Sequence, residues 1–469
     1  MKTIFKSLRA LPVTLLIAGC AVGPNYQRPA LDMPSTYRDE AALPGQTAPY
    51  EWWKLYNDET LNRLVADVLK TNSDARIAAA QVEEAEAVLR QVNASFFPQI
   101  DLAGNATRSR VSTETDVPLG NNAPIIRNDR RLVASTSFEL DFWGKLRRGS
   151  EVARAQALGS KYGKEVVTLT LAGTTTQAYF TLRSLDAQVA AVRSSVTTRE
   201  ESLEVVKSRA AAGFASDLDL NQAIGARADA AAQLKDLERQ RTLAENLLGA
   251  LTGRADLRIP AADIRALPLP PLPPPGLPSA LLDRRPDIRV AEQNLVAANA
   301  QIGVAKAALF PTISLTGNYG GQSSALENLL DSGARIWSGG FGLTLPIFDA
   351  GRNIAKVDQA ESRQQQSLFA YQKVVAAAFR EVADAIVNTR QAELAEADLQ
   401  VRFDAARKSL ELSRIRYESG YSGYLDVLDA QRTANDAELA LARNRQSRLA
   451  YTVDFMKALG GGWTPPARP

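Results

Sequence analysis

Asp426 and Asp429 are the pair of side chains most suggestive of chemistry. They stand three apart in Tyr424-Leu425-Asp426-Val427-Leu428-Asp429-Ala430-Gln431, a spacing that puts both carboxylates on one face of a helix. Two acids so placed can draw cations to that face. They also do something plainer at a helix start, where the positive end of the macrodipole welcomes negative charge. Other chemistries are thinly provided. The chain has no histidine, which removes Ser/His/Asp and Cys/His sites and most zinc constellations. Asp217-Leu218-Asp219-Leu220-Asn221 mimics the opening of a calcium loop, but Gln222 replaces the turn glycine and Ala228 the closing glutamate. Gly339, Gly340 and Gly342 are followed by no Gly-Lys-Ser/Thr, so they form no phosphate loop. The residues predict no enzyme, no metal and no dissociable cofactor.

Cys20 is the only cysteine in 469 residues, so no intrachain disulfide can form. A lone cysteine is commonly a small buried hydrophobe, but this one has a distinctive setting. Lys2, Lys6 and Arg9 precede an apolar stretch from Leu11 to Gly19 that is too short to span a bilayer, and Ile17-Ala18-Gly19 leads directly into the thiol. The order resembles a bacterial lipobox and predicts removal of residues 1–19 and a covalent N-terminal lipid on Cys20. Ala21, rather than Asp, follows it, the pattern of outer-membrane lipoproteins. Formal net charge is +3, and loss of the three basic residues of the leader brings the mature chain close to zero. That leaves no basic excess for phosphate contacts, so nucleic acid is not an expected partner. No stretch after residue 20 offers the apolar length of a transmembrane helix, so the remaining route across a bilayer is a closed β-barrel.

The elements that position these residues occur twice. Phe97-Pro98-Gln99-Ile100-Asp101-Leu102-Ala103-Gly104-Asn105 returns 213 positions later as Phe310-Pro311-Thr312-Ile313-Ser314-Leu315-Thr316-Gly317-Asn318. The stretch from Arg209 to Ala223 returns 207 positions later as Arg416 to Ala430, and Ala250-Leu251-Thr252-Gly253 returns as Ala458-Leu459-Gly460-Gly461. A period this long is a duplicated domain rather than a solenoid repeat.

Each repeat offers two strand candidates with period-two alternation: Ile100 to Ala106 and Phe138 to Phe142 in the first, Ile313 to Tyr319 and Phe341 to Ile347 in the second. The polar segments between them, Arg108 to Arg131 and Gly320 to Arg335, read as extracellular loops. Four strands cannot close a barrel, since the smallest have about eight, so other copies of the chain must complete it. An ordinary hairpin packed on a soluble core is the competing possibility.

Most of the rest reads as helix. Leu146 to Ala212 and Arg352 to Glu418 contain no proline and are rich in strong helix formers. Each would be roughly 100 Å long and would need partners along its length, implying coiled-coil-like packing. Gly213 with Ser216-Asp217, and Gly420 with Gly423, mark two hairpin tips. Return helices follow from Leu218 to Leu251 and from Leu425 to Leu459, and shorter helices run from Ala75 to Asn93 and from Ile288 to Ala308. The chain thus divides into a signal peptide (1–19), an acylated extended arm (20–55), a first repeat (56–267), a proline-rich linker (268–278), a second repeat (279–460) and a tail (461–469).

Gly23-Pro24-Asn25-Tyr26-Gln27-Arg28-Pro29, Trp52-Trp53 with Leu55-Tyr56, Arg284-Arg285-Pro286-Asp287-Ile288, and Tyr424 to Gln431 occur in this order across the mature chain. Together they resemble the outer-membrane efflux factors of the TolC/OprM type, in the NodT-like lipoprotein branch. The resemblance implies a mixed α/β membrane protein: a homotrimer whose subunits each give four strands to a twelve-stranded outer-membrane β-barrel, continued by a long periplasmic α-helical barrel. It implies an exit duct for small molecules such as drugs or toxic compounds. Its partners would be outer-membrane lipid, a periplasmic adaptor and an inner-membrane pump of the resistance-nodulation-division type. Asp426 and Asp429 match the family's acidic pore rings, and Leu425 an apolar constriction. Three copies would stack two carboxylate rings, which favour cations and make complete ionisation costly. Tyr417, Asp219 and Ser422 match positions of tip-closing contacts. Ser422 stands where an arginine is expected, so an arginine latch does not carry over. Two alternatives stay open: the outer-membrane channel of a type I protein secretion system, and a non-conducting structural coiled-coil lipoprotein.

Overall fold

A computed structural model describes residues 21–31, 37, 49–114, 124–274 and 278–463. Cys20 and the signal peptide lie outside the described residues, as do 275–277 of the linker and 464–469 of the tail. In chain order the elements are α1 (Glu59–Thr71), α2 (Ser73–Ala94), β1 (Gln99–Arg110), β2 (Ile126–Leu140), α3 (Lys145–Ala211), α4 (Asp217–Thr252), the single turn α5 (Leu281–Arg284), α6 (Pro286–Ala307), β3 (Thr312–Ser323), β4 (Arg335–Thr344), α7 (Arg352–Glu418) and α8 (Tyr424–Ala458). No helix among the described residues is long and apolar enough to cross a membrane. The chain forms two compact units, and α2, α3, α6 and α7 each contribute residues to both.

The first unit holds the sheet. All four strands are antiparallel in the order β1-β2-β3-β4, so β1 and β4 are open edges. The ladders run without a bulge, with Gly104 opposite Leu132, Leu132 opposite Gly321 and Gly321 opposite Arg335. Because side chains alternate across a strand, this register sorts the sheet into two unlike faces. One carries Ile100, Leu102, Leu132, Ala134, Phe138, Leu140, Ile313, Leu315, Tyr319, Trp337, Phe341 and Leu343. The other carries Gln99, Asp101, Asn105, Asp129, Ser135, Ser137, Glu139, Ser314, Thr316, Asn318, Gln322 and Ser338. In a soluble sheet the apolar face is the covered one. Here Ile100 is 74% exposed, Leu102 71% and Trp337 78%.

The strands are longer than the alternation alone predicted. The segments read as loops from Arg108 and from Gly320 begin inside strands, and β2 starts at Ile126 rather than near Phe138. The backbone ladder continues through polar and arginine residues because pairing uses main-chain groups whatever the side chain. β2 in turn stops at Leu140, since the Asp141 carboxylate turns to accept from the Leu146 and Arg147 amides at the head of α3, both at 3.0 Å.

The segment after Cys20 is fastened to this unit. The Val22 amide donates to the Trp143 carbonyl at 3.0 Å. The buried Arg148 guanidinium donates to the Val22 and Gly23 carbonyls and to Asn25 Oδ1. Asn299 donates to the Pro24 carbonyl at 2.9 Å, and Arg28 grips Glu292 through two bonds of 2.7 and 2.9 Å. The arm lies so close to α6 that a Cβ on Gly303 would stand 2.7 Å from the Val22 oxygen.

The second unit is built on a buried core of Trp52, Trp53, Tyr56, Leu61, Tyr179, Phe180, Leu248, Leu449 and Met456, among others. Tyr56 and Thr452 share a buried hydroxyl bond of 2.6 Å. α1, absent from the expected elements, buries Leu61, Leu64, Val65 and Val68 and is capped by Asp58. Pro286 opens α6, where its missing amide costs nothing. Arg285 just before it grips Asp287 and Glu381, each at 2.7 Å, and donates to the Ala458 carbonyl.

Three pairs of left-handed glycines recur at a fixed interval. Gly144 and Gly351 precede the long helices, Gly213 and Gly420 end them, and Gly253 and Gly460 end the return helices, each pair 207 positions apart with φ between 70° and 94°. Such a backbone favours glycine.

Candidate functional site

Both hairpin tips lie in the second unit. In the first, α3 ends at Ala211 and Gly213 reverses the chain. Ser216 then starts α4 with a capping box: its side chain accepts from the Asp219 amide, and the Asp219 carboxylate accepts from the Ser216 amide. The calcium-like acidic run is therefore a helix start. In the second tip, α8 starts at Gly423, which has no side chain to cap with. Asp426, the counterpart of Asp219, has no such partner and projects outward.

α8 has two distinct faces at this point. Tyr424, Val427 and Ala430 are buried, and Tyr424 and Val427 pack with Val206 of α3 and Ala223 of α4. Leu425, Asp426 and Asp429 are all exposed on the opposite side. The structure thus brings the three constriction candidates onto one free surface. It adds a residue that the sequence reading passed over: Arg432 pairs with Asp429 at 3.2 Å. Its position three residues beyond Asp429 was the signal.

The three tip-contact candidates are not bonded to one another within the chain, among the described residues. Asp219 is taken up by its capping box. Ser422 Oγ is buried with no hydrogen-bond partner among the described residues. The Tyr417 ring meets Tyr424 edge to face at 5.6 Å and lies under the Arg209 guanidinium at 4.7 Å. Arg209 also donates to the Tyr417 carbonyl at 2.9 Å and, more distantly, to that of Glu418. One cation from the end of α3 therefore caps the C-terminus of α7, where the dipole favours it. This cross-hairpin clamp was not anticipated, although Arg209 opens the repeated block.

The electrostatics beneath the tip follow from burial. Burial raises the Tyr424 hydroxyl above its ordinary range, reinforced by Tyr417 and opposed by Arg199. Burial also lowers Arg199, against the pull of Tyr424, Asp229 and Asp436. Arg199 donates to the Ala226 carbonyl at 2.6 Å and lines a polar hollow of about 340 Å³ with Arg407, Gln431 and Asn435. Among the described residues no group of three or more acidic, cysteine or histidine side chains could hold a metal ion.

A family model described as outer membrane efflux protein matches residues 64–254 and 277–461. Outer membrane protein OprJ of Pseudomonas aeruginosa is 35% identical over 458 residues, covering 97% of this chain and 95% of that one. The toluene efflux pump outer membrane protein TtgI of Pseudomonas putida is 35% identical over 471 residues, covering 98% and 99%. Among solved structures, the Campylobacter jejuni CmeC outer membrane channel superposes with a TM-score of 0.87 at 25% identity, covering 95% of this chain and 96% of that one.

Proposed function

The chain belongs to the outer membrane efflux protein family, and from that premise we propose that it is the exit duct of a tripartite pump. It works as a homotrimer with a periplasmic adaptor and an inner-membrane transporter, and it carries small toxic molecules or drugs out of the cell. The observation that carries the reading is the sheet: two open edges and an exposed apolar face backed by a polar one. Lipid on the apolar side and water on the polar side satisfy both faces at once, and neighbouring copies satisfy the edges. Three copies supply twelve strands.

A covalent lipid on Cys20 fits the same picture, because residues 22–25 are bonded beside the β2–α3 junction and Arg28 to Glu292 of α6. An internal duplication is supported by the recurring left-handed glycines and by a family match in two stretches. The tip serves as the gate. Leu425, Asp426 and Asp429 have a free face on which to line a constriction, with Arg432 reducing the net negative charge there. Tyr417, Asp219 and Ser422 close the tip through contacts between subunits.

Planar-bilayer conductance of the purified protein tests the proposal, comparing wild type with Asp426→Ala/Asp429→Ala. A small cation-selective current that loses selectivity in the variant supports a duct gated at acidic rings. A current that the substitutions leave unchanged moves the constriction elsewhere. Absence of current from folded protein sinks the duct.

A further inference from the structure

We infer that the outer rim of the sheet is a binding site for the phosphorylated headgroup of an outer-leaflet glycolipid. The inference rests on the barrel reading for the direction in which each face looks. On three of the four strands, the first side chain beyond the apolar band on the same face, or the one at its end, is arginine: Arg108 after Ala106 on β1, Arg130 after Leu132 on β2, and Arg335 next to Trp337 on β4. Arg110 follows on β1. No aspartate or glutamate occupies that face of any strand.

The register draws three of these cations together, while Arg335 stands two strands from β2, across Gly321. Arg108 lies opposite Asn128, and Arg130 opposite Ala106, so Arg108 and Arg130 are diagonal neighbours at roughly 7–8 Å. Arg108 and Arg110 are successive on one face, about 7 Å apart. Arg108, Arg110 and Arg335 are exposed, and their side chains form no ion pair or hydrogen bond among the described residues. Arg130 reaches the Ser324 carbonyl. Below them, Trp337 and Tyr319 are exposed at the end of the apolar band, as suits aromatic side chains at a membrane interface.

A soluble rim needs charge, but it does not need one sign on one face. Guanidinium groups bind phosphate oxygens through paired donors, and clustered basic residues at a bilayer surface recruit anionic headgroups. A ligand bearing two phosphates on one compact headgroup matches several cations about 7 Å apart. The inward face of the same rim makes an internal control, since Arg127 and Arg131 alternate there with Asp129.

Full-length protein in lipid nanodiscs is titrated with bisphosphorylated lipid A and, separately, with the same lipid stripped of both phosphates. Binding is followed by native mass spectrometry. The outward variant Arg108→Gln/Arg110→Gln/Arg130→Gln/Arg335→Gln is expected to bind at least tenfold more weakly, and Arg127→Gln/Arg131→Gln as wild type does. Dephosphorylated lipid should bind every form equally weakly. Wild-type binding by the outward variant overturns the site, as does equal loss in the inward pair or displacement by millimolar inorganic phosphate. If the fourfold variant fails to fold, Arg108→Gln/Arg110→Gln is read by the same criteria. Quenching by brominated lipid, compared between wild type and Trp337→Phe, separates this inference from its premise. A Trp337 contribution to quenching alongside unchanged glycolipid binding rejects the rim site alone, and no Trp337 contribution rejects the lipid-facing sheet as well.

Discussion

Arg209→Ala removes the clamp between the two hairpin tips while leaving each helix its own backbone bonds. Two interactions disappear. The charge-assisted bond to the Tyr417 carbonyl is 2.9 Å long and is worth about 1–1.5 kcal/mol in a half-buried setting. The guanidinium stacked 4.7 Å from the Tyr417 ring adds about 0.5–1 kcal/mol. The longer contact to Glu418 contributes little. The total, about 2 kcal/mol, corresponds to roughly a 30-fold change in an equilibrium constant. If the clamp exists only when the tips are closed, that factor appears as an increase in open probability, measured by single-channel recording in planar bilayers. Arg209→Lys keeps the charge but loses the flat stacked fork, so it should fall between wild type and alanine. An open probability and ion selectivity unchanged in Arg209→Ala would refute the idea that this contact distinguishes closed from open.

Four further substitutions test the architecture. Tyr56→Phe breaks the buried 2.6 Å bond to Thr452 and should cost about 1–2 kcal/mol, seen as a lower thermal midpoint with conductance retained. Gly303→Ala puts a methyl 2.7 Å from the Val22 carbonyl, so backbone amides of residues 22–28 should exchange hydrogen several times faster than in wild type, measured by mass spectrometry. Gly320→Ala places its Cβ into the Leu132 carbonyl, whereas Gly339→Ala meets nothing within 4 Å; circular dichroism and heat-modified gel mobility should show a lost sheet in the first and a normal one in the second.

The long helices were legible because their signal is compositional. A proline-free run of alanine and long-chain residues specifies helix from end to end, and α7 spans Arg352–Glu418 just as the sequence suggests. The tips were legible because glycine and serine punctuate them. Strand ends were less so: Arg108, Arg110 and Asn128 look like loop residues until the register shows which face they occupy. α1 is harder to read although Leu61, Leu64, Val65 and Val68 have helical spacing, because at 13 residues it offers only a short apolar stripe. At the tip, sequence spacing put Leu425, Asp426 and Asp429 in one neighbourhood. It could not supply the Arg209 clamp, which joins side chain to backbone across 208 positions.

The mooring of the arm also sets an order of events. Residues 22–28 take their partners from Trp143 and Arg148 on one side and from Glu292, Asn299 and Gly303 on the other, up to 281 positions further along the chain. None of these berths exists until α3 and α6 have been made and have met. The segment synthesised near the beginning is therefore among the last to be seated, and its seating certifies that both halves of the chain have arrived. The docked arm is thus a marker of completion: only a copy with both halves in place offers Val22 its bond to Trp143 and Arg28 its ion pair with Glu292.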